Sequence, residues 1–198
     1  MTAQRKSEFN VEPLFINRWS PRAFTGDAID DATLFSLFEA ARWAPSANNA
    51  QPWRFIYAKN NSPEWPRLFN LLNEKNQAWA AKAGALVILI SKKTHYRQGE
   101  TQPTPFRTHS LDSGAAWASL AFQAIYAGLR TRAIGGFDRE KARDVLQIPQ
   151  DYNVEIAIAV GKQADAASLS DELREREQPN HRKPLAALVA KGTFTFNE

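Results

Sequence analysis

Apolar residues recur along this chain with two different periods, which separate its helices from its strands. Between Asp30 and Ala44 they return every three or four positions, which predicts an amphipathic helix capped by Asp30 and ended by Pro45. A longer helix is predicted over residues 109–129, where small residues dominate. Shorter helices are predicted to start near Ser62, Asp138, Ser170 and Pro184.

Four other segments have the alternation, or the continuous apolar character, of β-strands. They are residues 53–58, 85–91, 131–134 and 153–161. The tail, Thr193 to Phe196, also alternates, and it could be an edge strand of this sheet or of a partner's sheet. Helices and strands are mixed without a strict βαβ repeat, so the pattern predicts an α+β fold in a single domain over residues 1–198.

Composition excludes several kinds of chemistry. The chain has no cysteine, which excludes thiol catalysis, iron–sulfur clusters and thiolate zinc sites. Its three histidines lack the spacing of metal ligands and no G-x-S-x-G motif is present, so we expect neither a metal nor a serine hydrolase. The net charge of +4 comes without a basic stripe of interleaved aromatics, so nucleic acid is not an expected partner.

The distribution of apolar and charged residues also bears on location. No segment approaches the ~20 apolar residues of a membrane span, because the longest candidate, residues 85–90, has the length of a strand. Residues 1–8 are polar and lack the apolar core of a signal peptide. We therefore expect a soluble, cytoplasmic protein without a membrane partner. The mixed charges of residues 171–183 are typical of a solvated face.

Three separated segments carry the candidate chemistry. Residues 18–22 place two guanidiniums on either side of a serine, a set that can hold a phosphate. Residues 44–53 form a loop rich in proline and asparagine between a helix and a strand. Residues 134–138 place two glycines before a capped helix, where backbone amides can face a ligand. Each segment alone is better explained as a turn, but together they suit a flat, phosphorylated redox cofactor.

Two further segments leave alternatives open. The small residues of the 109–129 helix allow close approach of another backbone, either within one core or from a symmetry mate in a dimer. The loop over residues 92–107 is rich in proline, glycine and polar residues, a composition that suits a flap or an insertion over a site.

The combined motifs resemble the FMN-dependent nitroreductase family. The resemblance lies in residues 17–24 (NRWSPRAF), 44–53 (APSANNAQPW), 134–138 (IGGFD) and Val160-Gly161, in that order. It implies a nitroreductase-like α+β fold with a central, mostly antiparallel sheet surrounded by helices. It also implies an intertwined homodimer with FMN at the interface, in which residues 185–198 could extend onto the partner protomer.

The resemblance also assigns residues to the cofactor. Arg18, Trp19, Ser20 and Arg182 would hold the phosphate and ribityl chain. Arg22 would reach the pyrimidine edge of the flavin. The other residues implied at the flavin ring are Asn76, the backbone amides of Gly135 and Gly136, and Pro45 and Ser46 from the partner protomer.

The chemistry implied by the resemblance needs no catalytic side chain. NAD(P)H would deliver hydride to flavin N5, and a nitroaromatic, quinone or related small electrophile would then be reduced in a ping-pong cycle, with Arg22 as electrostatic support. The alternatives are a flavin-fragmenting, dehalogenating or dehydrogenase relative of the same fold, or an FMN-binding sensor or storage protein. A soluble interaction domain without a cofactor remains as a third class.

Overall fold

A four-stranded antiparallel sheet forms the centre of the molecule. The computed structural model describes residues 5–196, so residues 1–4 and 197–198 of the predicted domain lie outside the described residues. The strands of this sheet are β1 (Trp53–Lys59), β2 (Ala85–Lys92), β5 (Arg130–Ile134) and β6 (Tyr152–Gly161). Their order in the sheet is β1-β2-β6-β5, and every neighbouring pair is antiparallel. All four correspond to predicted strands, and the α+β class is confirmed.

Seven helices and a small hairpin complete the described chain. The helices are α1 (Pro13–Asn17), α2 (Asp31–Arg42), α3 (Trp65–Phe69), α4 (Glu74–Ala80), α5 (His109–Tyr126), α6 (Arg139–Val145) and α7 (Asp171–Glu175). The hairpin consists of β3 (Thr94–His95) and β4 (Thr104–Pro105). Single 3₁₀ turns cover Ala47–Asn49, Ala166–Ser168 and Leu185–Ala187.

Both faces of the sheet are covered, and β2 shows why its sequence is continuously apolar. Leu86, Ile88 and Ile90 belong to one core cluster, whereas Val87 and Leu89 belong to the other. Successive side chains of a strand point to opposite faces, so a strand buried on both sides has no polar alternation. Helices α2 and α5 cover one face and contact each other, and the segment around α3 and α4 covers the other.

Local sequence signals fixed two of the helix starts. The Asp30 carboxylate accepts a hydrogen bond from the Thr33 amide at 2.8 Å, and the Asp138 carboxylate accepts one from the Lys141 amide at 2.9 Å. Each bond satisfies one of the free amides at a helix N-terminus. Both aspartates are therefore N-caps, as predicted.

Two predicted helix boundaries were wrong. Helix α3 begins at Trp65 and not directly after Ser62, because Pro66 lacks an N–H and is tolerated only in the first helical turn. Helix α5 ends at Tyr126 and not at Leu129, because Gly128 has a φ of 72° and turns the chain out of the helix.

The C-terminal segment also differs from its prediction. Thr193 to Phe196 do not form a strand, and Pro184 is followed by one 3₁₀ turn in place of a helix. The side chain of Phe194 is 77% exposed and packs edge-to-face against Phe196 at a centroid distance of 5.1 Å. Alternation alone cannot form a strand where no neighbouring strand of the same chain offers its backbone groups.

Helix α5 uses its small residues on one side for packing within the chain. Ala116, Leu120 and Ala124 are fully buried in the cluster that includes α2. On another side, Leu111 and Tyr126 are more than 70% exposed, and a Cβ at Gly114 would meet nothing within 4 Å. Packing inside one core therefore explains only part of this helix.

Candidate functional site

A cleft of about 500 Å³ lies where the 18–22 segment meets β5 and the C-terminal segment. We call it the arginine cleft, because six guanidiniums line it: Arg5, Arg18, Arg22, Arg132, Arg176 and Arg182. Trp19, Ser20 and Asn180 also line it, and Glu175 is the one acidic lining residue in the described part of the chain. The cleft therefore carries a large excess of positive charge.

Burial, and after it repulsion between neighbouring guanidiniums, lowers the pKa of Arg5, Arg18 and Arg132. Burial lowers the pKa of Arg18, and the nearby charges of Arg182 and Arg5 lower it further. Burial also lowers the pKa of Arg132 to about 10, with a contribution from Arg22. Arginine keeps its charge at neutral pH even so. An anion in the cleft would thus relieve repulsion between charges that the fold holds together.

The backbone of the 18–22 segment is held in place by two of these arginines. Arg5 donates hydrogen bonds to the carbonyls of Ile16 and Arg18 at 2.9 and 2.8 Å, and Arg132 donates to the carbonyl of Ser20. The Arg18 guanidinium donates to the Ser20 hydroxyl at 3.1 Å. The Arg18 guanidinium and the Ser20 hydroxyl are therefore held next to each other in the wall of the cleft.

Glu177 supports the same segment from behind. Its carboxylate accepts hydrogen bonds from the backbone amides of Arg22 and Ala23 at 2.6 and 2.8 Å, and it lies 3.7 Å from the Arg22 guanidinium. The Glu177 side chain is only 2% exposed. The prediction of a solvated face over residues 171–183 was therefore wrong for Glu177, because the two amides need a buried acceptor.

A second recess of about 490 Å³ shares Arg22 and Arg176 with the arginine cleft. Asn76 lines this recess, where its amide group donates to the Gly136 carbonyl at 3.0 Å and accepts from the Trp79 indole at 3.2 Å. Asn76 thereby joins α4 to the glycine pair that follows β5. Asn76 and the glycine pair, which the sequence motifs assign to the flavin ring, therefore lie next to the arginine cleft.

The two glycines have different roles in packing. A Cβ at Gly136 would lie 2.5 Å from the Asn73 amide nitrogen and 2.7 Å from that of Asn76, whereas a Cβ at Gly135 would meet nothing within 4 Å. A side chain at position 136 would therefore have to displace the amide groups of Asn73 and Asn76, whereas the space beside Gly135 is open.

Gly136→Ala is expected to lower the free energy of unfolding by about 1–3 kcal/mol, because the added methyl group would displace Asn73 and Asn76. The matched variant Gly135→Ala is expected to stay within about 0.5 kcal/mol of the parent. Urea unfolding of the three proteins measures both effects. Equal destabilisation by the two alanines would contradict this assignment.

Pro45 and Ser46 line neither the arginine cleft nor the second recess. They belong to a folded loop in which the Ser46 hydroxyl accepts from the Gln51 amide at 3.0 Å and the residues Asn48, Asn49 and Gln51 have positive φ angles. Within one chain these two residues do not join the other proposed cofactor-binding residues, a placement that fits a contribution to another protomer.

The structure thus brings most of the proposed residues together. Arg18, Trp19, Ser20, Arg22 and Arg182 line one cleft, and Asn76 links its neighbouring recess to the glycine pair. Sequence reasoning missed four residues: Arg5, Arg132, Arg176 and Glu177. Of these, Arg132 carried a signal, because a charged residue within a predicted strand needs a partner or a ligand where the strand is buried.

Another cluster of polar residues has the components of a serine hydrolase but not its geometry. The fully buried Ser91 hydroxyl contacts both His109 Nδ1, at 2.7 Å, and the Glu155 carboxylate. Glu155 lies 3.5 Å from the same Nδ1 atom. In a catalytic triad the carboxylate and the serine use opposite nitrogens of the histidine, so this cluster anchors α5 to the end of the sheet.

Residues 5–196 contain neither a cluster of metal-ligating side chains nor a helix that could span a membrane. No group of three or more His, Cys, Asp or Glu side chains is placed to hold a metal ion. None of the described helices has both the length and the apolar character needed to cross a membrane.

Comparison with known proteins identifies the family of this chain. The model of the nitroreductase family matches residues 16–162. The chain belongs to the nitroreductase family. A Streptomyces coelicolor protein provisionally named an NADH dehydrogenase/NAD(P)H nitroreductase is 37% identical over 168 residues, which cover 76% of this chain and 82% of that protein.

Two other family comparisons extend over most of the chain. An oxygen-insensitive NADPH nitroreductase of Helicobacter acinonychis is 29% identical over 180 residues and matches 75% of this chain and 82% of its own length. The crystal structure of an oxidoreductase containing FMN superposes with a TM-score of 0.94 at 44% identity, covering 98% of this chain and 97% of the other. The nitroreductase-like fold implied by the sequence motifs is confirmed.

Proposed function

We propose that this member of the nitroreductase family is an FMN-dependent NAD(P)H oxidoreductase that reduces nitroaromatic, quinone or related small electrophiles. One observation carries the proposal: the arginine cleft, rich in cations, shares Arg22 and Arg176 with the recess lined by Asn76, which bonds to the glycine pair. This arrangement offers an anion site at one end and a ring site at the other. The FMN in the structure with 44% identity and the NAD(P)H in the relatives' names support it.

The phosphate end of FMN suits the residues of the cleft. Arg18 and Ser20 are already paired, and Arg182 lines the same cleft. Guanidiniums form short, partly bidentate bonds with phosphate oxygens, so a dianionic phosphate is the natural partner for such a cluster. Trp19 would then lie against the ribityl chain.

The ring end of FMN suits the recess. When bound, FMN supplies the hydride chemistry, accepting a hydride from NAD(P)H at N5 and passing it to the oxidant. Gly135 and Gly136 would offer backbone amides to the ring edge, and Asn76 already holds the Gly136 carbonyl in a hydrogen bond. Arg22, whose side chain is 14% exposed, would place its charge at the pyrimidine edge and favour the electron-rich reduced ring.

We infer that the active form is a homodimer, in which Pro45 and Ser46 complete the partner's site. Many large apolar side chains are exposed on the single chain in its N-terminal segment, α5 and its C-terminal segment. They are Phe9, Val11, Phe15, Leu111, Tyr126, Leu185, Leu188, Val189 and Phe194. Apolar surface of this extent is typical of a protein interface.

Truncation after Ala190 is expected to weaken this dimer, because it removes the exposed Phe194 and its neighbours, which we propose to pack on the partner subunit. Sedimentation over a range of concentrations should show a dissociation constant raised by tenfold or more, on the order of 1.4 kcal/mol. A chain shortened only after Phe196 is the control. A truncated protein that remains dimeric and equally stable would contradict the role of this segment.

The experiment that tests the function is an absorption spectrum of the purified protein with and without added FMN, followed by anaerobic NADH and NADPH. Flavin bands that bleach with a nicotinamide, and recover with a nitroaromatic or quinone, would support the proposal. Bands that do not bleach would favour the sensor, storage or non-reductase alternatives. A protein that takes up no FMN would overturn the proposal.

A further inference from the structure

A cavity of about 830 Å³ lies apart from the arginine cleft, between the 92–107 loop and the loop that contains Pro45. We call it the flap cavity. The lining residues used below are Asn48, Tyr96, Arg97, Gln98, Arg107 and Thr108. Among residues 5–196, no aspartate or glutamate lines it.

The 92–107 loop, which we call the flap, forms one side of this cavity and contains regular structure. Its two short strands, β3 and β4, pair with each other, and the Phe106 amide donates to the Lys93 carbonyl at 2.7 Å. The Phe106 side chain is only 5% exposed, and its ring lies 4.7 Å from that of His95. A buried aromatic anchor thus holds the flap, and with it Arg97 and Arg107, in position.

The two arginines of the cavity have no acidic partner. Among the described residues, neither Arg97 nor Arg107 forms an ion pair or donates a side-chain hydrogen bond, and both are exposed. The Tyr96 ring beside them is 60% exposed. Two free guanidiniums, an exposed ring and the neutral side chains of Asn48, Gln98 and Thr108 match the chemistry of a phosphorylated nucleoside.

The cavity is also tied to the loop that would cover the partner's cofactor. The buried Asp112 carboxylate accepts from the Ala47 amide and from the Thr108 hydroxyl, both at 3.1 Å. Asp112 therefore fixes the wall of the cavity to the segment next to Pro45 and Ser46. A ligand in the cavity would therefore lie close to Pro45 and Ser46, the residues proposed to cover the partner's cofactor.

We propose that the flap cavity binds the adenosine end of NADPH, with Arg97 and Arg107 on its 2′-phosphate and Tyr96 against the adenine. The assignment to a nicotinamide nucleotide rests on the proposed function. NADH lacks the 2′-phosphate and would leave both guanidiniums without a partner, so the enzyme prefers NADPH.

The test uses 2′,5′-ADP and 5′-AMP, which differ only in the 2′-phosphate and need no flavin to bind. Calorimetric titration of the full chain is expected to show 2′,5′-ADP binding at least tenfold more tightly. Arg97→Ala and Arg107→Ala should each weaken 2′,5′-ADP by on the order of tenfold without changing 5′-AMP. Arg67→Ala, on α3 and outside both cavities, is the matched control.

Three results would overturn the proposal. They are equal affinities for the two nucleotides, flap variants that bind like the parent, and a loss of 2′,5′-ADP binding in Arg18→Ala with none in the flap variants. The last result would place the nucleotide in the arginine cleft. In an active enzyme, the flap variants should raise KM for NADPH with kcat unchanged. Because the titration needs no turnover, it separates this proposal from the proposed function.

Discussion

Glu177→Ala is expected to lower the free energy of unfolding by roughly 3–5 kcal/mol, the largest stability effect that we foresee in this protein. The carboxylate is almost fully buried and accepts from two backbone amides of the 22–23 segment. Its removal leaves those amides without an acceptor and leaves Arg22 and Arg132 without their nearest negative charge. Urea unfolding monitored by tryptophan fluorescence measures the loss.

Glu177→Gln separates the hydrogen bonds from the charge. The amide oxygen can still accept from Arg22 and Ala23, so we expect a smaller loss of about 1–2 kcal/mol. Glu175→Ala, which changes an exposed carboxylate two residues away, should stay within about 0.5 kcal/mol of the parent. If Glu177→Ala unfolds at the same urea concentration as Glu175→Ala, the 22–23 segment does not depend on Glu177.

The sequence predicted those parts of the structure that local chemistry determines. Asp30 and Asp138 cap helices because each carboxylate reaches an amide three residues away. The strands were predictable because burial on one face produces alternating apolar residues and burial on both faces produces a continuous apolar run. The start of α3 was missed because Pro63 and Pro66 both fit a helical first turn, and only the second occupies it.

The parts of the site that could not be predicted are those that depend on long-range contacts. The hydrogen bond between Arg22 and Glu177 joins residues that are 155 positions apart in the sequence, and the one between Arg132 and Ser20 joins residues 112 positions apart. In the sequence, Glu177 stands in a run of alternating charges that is no different from a solvated surface. Its burial follows only from the position of the C-terminal segment against the 18–22 segment.

Arg18→Ala is expected to raise the Kd for FMN about 100-fold, which corresponds to roughly 3 kcal/mol. Under the proposed function, Arg18 and Ser20 hold the phosphate, and the Arg18 guanidinium is already held next to the Ser20 hydroxyl. Arg182 and Arg132 remain in the variant, so binding should weaken and not vanish. Quenching of flavin fluorescence during titration with protein measures the Kd.

Two further variants show whether this effect belongs to the guanidinium of Arg18. Arg18→Lys keeps the charge but loses the forked donor pair, so we expect an intermediate loss of about tenfold. Arg174→Ala removes a guanidinium that is exposed, paired with Asp171 and outside the cleft, and it should leave the Kd unchanged. If Arg174→Ala weakens FMN as much as Arg18→Ala, only the overall positive charge attracts the phosphate. If neither does, FMN does not bind in the arginine cleft, and the dense cluster of cations there must be explained by a different anion.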